Sequence, residues 1–304
     1  MASARFCSGP FRFSGSAAAL PGHRAGIRSP LVCRTFIRNN WRHIRSGNQC
    51  ITTGSEISPV LITGVFLPQI DYSNLWSYSA GVSGGVVIPM LEDEDVETIE
   101  KNINLFEGLC QKNDIQYRVH KDFTDFALPG LKKETRFADL LILGSESFYE
   151  NIGIDEPNSY LKDAIHNAEC PVVVVPESCD FPEKNILAYD GSESAVYAIK
   201  QFAYLFPDFA NNKTVLLYAK SDDEIAFPDE QNIEELCARH FTDLTLIKLG
   251  VDPKKYFGLW TSEKQGAILV SGAYGRSAVS MMFKKSFISD VIRDHKLPVF
   301  IANR

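Results

Sequence analysis

Most of the residues that could do chemistry lie in one loop, GAYGRSAVSMMFKKS, running from Gly272 to Ser286. Gly272 and Gly275 carry no side chain, so their backbone N–H groups can come close to an anion. Ser286 is placed to open a helix, where a hydroxyl and the positive end of the helix dipole act together. Arg276, Lys284 and Lys285 add three cations, and the loop holds no acid. Amides, dipole and cations of one sign select phosphate. A second group, Asp190 in AYDGSES, ends an apolar run and supplies a hydrogen-bond acceptor. A GxxG alone marks a tight turn more often than a ligand loop; the strand-like run before it, Asp190 and Ser286 shift the balance toward a site. Other chemistries find no support. GxxxxGK[ST] and HExxH do not occur, no GxGxxG follows a first strand, and the six His are scattered. No catalytic residue is expected. The seven Cys form no CxxC pair and have no zinc spacing, so no metal site is expected, and they read as buried thiols of a reducing compartment, the cytoplasm.

These loops need strands to carry them, and the chain supplies short apolar runs alternating with amphipathic stretches, the pattern of parallel βαβ units. Strands are expected at 59–66, 85–89, 116–120, 139–143 and 171–175, with helices over 96–110, 128–137 and 160–168. Pro176–Lys184 (PESCDFPEK) has two prolines and mixed charges, so 177–184 reads as a linker. A second series follows: strands at 185–189, 214–218, 242–248, 267–271 and 299–302, with a helix that Ser192 caps. The two series superimpose by counting. CPVVVV and LPVFIA close the units, and twelve residues before each proline stands a serine, Ser159 and Ser286. ADLLILG and GAILVSG end fifteen and fourteen residues before those serines, which points to duplication. The expected fold is α/β: two tandem doubly wound five-stranded parallel sheets, residues 56–176 and 185–304, with ligands at the carboxyl ends of the strands where the order reverses.

The first unit has the wrong groups for phosphate. Its equivalent loop, SESFYENIGIDEPN, contains Glu146, Glu150, Asp155 and Glu156 and no base. With 59–66 read as its first strand, the position matching Asp190 is Gly64. A structural or regulatory role is expected for this unit. The aromatic run DYSNLWSY, 71–78, reads as packing over a sheet edge more readily than as a ligand site. Ahead of both units lies an expected disordered leader, 1–55. Residues 1–50 hold eight Arg and no Lys, Asp or Glu, and seven Gly and Pro between positions 9 and 30 interrupt any amphipathic targeting helix. The rest of the chain then has 38 acids against 23 bases, which argues against nucleic-acid binding. No apolar run approaches the roughly 20 residues that span a bilayer.

AYDGSES and the GxxG, nine residues, then x-Ser spacing resemble the universal stress protein family, whose sheets have the order 3-2-1-4-5. The likeness covers 58–304, more fully in the second unit, with Lys285 standing where the family has glycine. It implies a stress-response protein that binds adenine nucleotide, ATP with Mg, with slow hydrolysis or none. Asp190 and Tyr218 or Ala219 would meet adenine and ribose. Ser271, Gly272, Gly275, Arg276, Lys285, Ser286 and Phe287 would surround the phosphates. It also implies that the closing strands pair, giving an intramolecular pseudo-dimer with further homodimer assembly. The alternative is a nucleotide-free module that recognises a protein partner through the acidic first unit.

Overall fold

The computed structural model describes residues 31–36, 61–66, 93–121, 127–144, 164–176, 181–219, 226–249, 266–272 and 297–302. Among the described residues ten strands form one sheet: β1 (Leu31–Phe36), β2 (Leu61–Phe66), β3 (Gln116–Lys121), β4 (Leu140–Gly144), β5 (Val172–Val175), β6 (Lys184–Tyr189), β7 (Lys213–Ala219), β8 (Asp243–Leu249), β9 (Ala267–Gly272) and β10 (Val299–Ala302). The helices are α1 (Asp93–Lys112), α2 (Ala127–Arg136), α3 (Glu193–Leu205) and α4 (Glu230–His240). Residues 164–167 add a helical turn within the stretch expected to be helical.

The spatial order is β3-β2-β1-β4-β5-β10-β9-β6-β7-β8. In the second unit β6, β7, β8, β9 and β10 therefore follow 3-2-1-4-5, and all four of their pairings are parallel. The two closing strands join the units, antiparallel, with Phe300 opposite Val173. One apolar layer consequently runs across the junction: Leu141, Leu143, Val172 and Val174 share a cluster with Ile186, Leu269, Val299 and Ile301. On the opposite face α3 lays Ala195, Ala198, Ile199 and Phe202 over the second unit, and α4 adds Ile233 and Cys237. Both helices show the three- and four-residue spacing that puts one stripe on the core.

The first unit departs from expectation in two ways. Leu31–Phe36, placed in the disordered leader, is a strand. It lies between β2 and β4 and runs antiparallel to both. An extended segment such as LVCRTF needs no helical periodicity to pair, so the glycines and prolines around it did not bear on its fate. Further, Leu61–Phe66 is not the first strand. It is followed by α1 and then by its parallel edge neighbour β3, as β7 is followed by α4 and β8. Gly64 therefore has no claim to the position of Asp190. What Gly64 does is admit the Phe106 ring, which a Cβ would meet at 2.8 Å. The expected strand at 85–89 and the aromatic run 71–78 lie outside the described residues, and among the described helices none is long and apolar enough to cross a membrane.

Candidate functional site

At the carboxyl edge of the second unit, β6 ends at Tyr189 and the chain turns through Asp190, Gly191 and Ser192 into α3. The turn is built from its own side chains. One Asp190 carboxylate oxygen accepts the Ser192 N–H at 2.9 Å, and the Ser192 hydroxyl accepts the Ala195 N–H at 3.1 Å, capping α3. Gly191 sits at φ +83°, a left-handed conformation that side chains disfavour. Asp190 is half-buried, and among the described residues its other oxygen makes no hydrogen bond.

β9 brings Gly272 beside this turn. A Cβ on Gly272 would lie 2.7 Å from the Ala195 nitrogen and 2.7 Å from the Ser194 carbonyl carbon, so the strand end presses directly on the first turn of α3. Packing alone therefore requires a glycine here, whatever it also offers a ligand. Ser271 is buried, its hydroxyl donating to the Gly272 carbonyl at 3.1 Å.

β7 contributes less side-chain chemistry than expected from its place. Tyr218 is buried at 2% exposure, against Phe227, and its backbone stands in register with Tyr189 and Lys248. Its phenol thus faces the core, and Ala219 ends the strand in register with Leu249. Gly275, Arg276, Lys285, Ser286 and Phe287 lie outside the described residues.

Sequence reading missed the segment after β7. Phe227 stacks on Tyr189 with centroids 5.5 Å apart, and the Tyr189 hydroxyl donates to the Pro228 carbonyl at 3.1 Å. Pro228 covers Gly191, where a Cβ would come within 2.9 Å of it. Burial, and then the nearby Asp229 and Asp190 carboxylates, push the Tyr189 phenol up, so it stays a donor. Beyond this segment a cleft of 680 Å³ opens between α3 and α4, lined by Tyr189, Val196, Lys200, Asp229 and Ile233 among others. The only sequence signal was an aromatic next to a proline just before a helix, a pair that turns use everywhere.

The arrangement holds a carboxylate at the reversal of strand order, with one acceptor oxygen left for a ligand's O–H or N–H donors. That fits the nucleoside end of a nucleotide. A carboxylate would repel the phosphates, which the cationic loop sequence suits instead.

No family model and no curated protein matches the sequence. Solved structures do. A universal stress protein from Archaeoglobus fulgidus DSM 4304 is 18% identical, with 71% of this chain and 81% of that chain covered at a TM-score of 0.53. A protein of Pseudomonas aeruginosa UCBPP-PA14, provisionally assigned to the same class, is 11% identical over 80% of this chain and 92% of its own, at 0.44. The chain has the universal-stress-protein-like α/β fold, with a sheet dominated by parallel pairs.

Proposed function

We propose that this is a stress-response protein whose second unit binds an adenine nucleotide, as Mg·ATP, and signals by occupancy with little or no hydrolysis. The observation that carries the reading is the half-buried Asp190 carboxylate, oriented by Ser192 at the strand-order reversal with one oxygen left without a partner among the described residues. Asp190 serves the ribose and base. The loop from Gly272 through Gly275, Arg276, Lys285, Ser286 and Phe287 serves the phosphates by its composition. The first unit contributes no second nucleotide site and offers an acidic surface to a protein partner.

Isothermal titration of Mg·ATP into the full chain tests this, because β1 belongs to the sheet and the chain should not be trimmed to its second half. One site per chain, lost in Asp190→Ala, is the expected result. No heat at millimolar ATP would sink the reading and leave a nucleotide-free interaction module. That alternative draws on the acids of 145–158 and on Lys285 at the glycine position.

A further inference from the structure

Tyr189, Phe227 and Pro228 make a clasp whose contacts end on the Asp190 turn. Tyr189 immediately precedes Asp190 and is tied to the segment after β7 twice, by its hydroxyl to the Pro228 carbonyl and by its ring to Phe227. Phe227 also packs 5.1 Å from the Tyr218 ring, anchoring the segment to β7. Pro228 then rests on Gly191, the residue between the Asp190 carboxylate and the Ser192 amide that orients it. Rotation of the turn would drive Gly191 into Pro228 or pull Tyr189 off Phe227. Asp229, which follows, adopts φ +44° at the start of α4 with no side-chain cap, so the segment is held by these contacts and not by a capped helix end.

We propose that Tyr189, Phe227 and Pro228 are positioning residues that hold the Asp190 carboxylate toward the ligand, so that residues 226–229, just ahead of α4, set affinity for the nucleoside end. The inference rests on the nucleotide reading above. A carboxylate accepts donors and repels phosphate, so loosening the clasp weakens recognition of ribose and base and leaves the phosphate end untouched.

The test uses the full chain with Tyr189→Phe, which keeps the ring and its burial and removes only the hydroxyl. Titrations with Mg·ATP and with inorganic tripolyphosphate are run side by side. Affinity for ATP is expected to fall about five-fold, the scale of one lost hydrogen bond, with tripolyphosphate unchanged. Phe227→Leu should act in the same direction. Equal losses for both probes, or none for either, overturn the proposal. Hydrogen exchange at the Ser192 amide reads the turn without any ligand, and should quicken about five-fold in Tyr189→Phe. If the wild-type chain binds no ATP, the nucleotide reading fails on its own, and unchanged Ser192 exchange would separately dispose of the clasp.

Discussion

In the second unit the central strand β6 runs parallel to both neighbours and leads straight into α3, so a strand's carboxyl end, a turn and a helix N-terminus meet at one edge. In the first unit the same place, between β2 and β4, is taken by β1 running the other way. Leu31 stands opposite Phe66, so at the carboxyl edge the first unit presents the start of a strand, in a leader without acids. The sheet is indifferent to this, because antiparallel pairing satisfies the backbone as well as parallel pairing. A ligand site is not. It needs the direction of the chain, since only a carboxyl end delivers the turn and the helix that follow it. The fold has thus been kept in the first unit at a place where the site geometry has not.

The junction between the units gives the largest expected effect. Phe300 is fully buried against Phe202 and Phe206, whereas its partner Val173 retains 6% exposure. Phe300→Ala should cost about 4 kcal/mol in denaturant unfolding and Val173→Ala about 2. Equal costs would mean that the two units contribute alike to their joint. Next, Thr35→Pro removes a ladder donor from β1, which is paired on both sides at that position. A loss of about 3 kcal/mol is expected, with faster hydrogen exchange in β2 and β4 and none in β6 and β7. Uniform acceleration would show that the units unfold as one.

Smaller effects separate the two glycines. Gly272→Ala drives a methyl into α3 backbone and should cost about 2 kcal/mol, while Gly64→Ala meets the side-chain rings of Phe106 and Phe66 and no backbone, at about 1 kcal/mol. The reverse ranking would say that the first unit is the more rigid. Least of all, the buried thiols differ. Burial pushes Cys237 up to about 12, and burial with Glu107 pushes Cys110 up to about 11. Raised thiols favour the folded state below their ordinary 9.0 and lose that contribution as pH rises through the folded values. At pH 8 both should therefore resist thiol reagents, with Cys110 labelled before Cys237 as the pH is raised.

Element types were legible in the residues because burial periodicity is local. Val96, Ile99, Ile103, Phe106 and Cys110 announce α1, and PVVVV and LPVFIA announce β5 and β10. Asp190 and Ser192 were legible too, since a cap and an Asx turn act over two or three residues. The sequence by itself thus determined the α/β class, the second unit's strands and the turn at Asp190. Only the tertiary structure decided that β2 takes the second place, that β1 fills the first in reverse, that Gly272 abuts α3 and that Phe227 and Pro228 clasp Tyr189. Each of those depends on which distant segment arrives beside a strand, and backbone pairing accepts any extended segment of fitting length and polarity; local pattern shows that a strand exists, but its neighbours are set by what the rest of the core leaves to be covered.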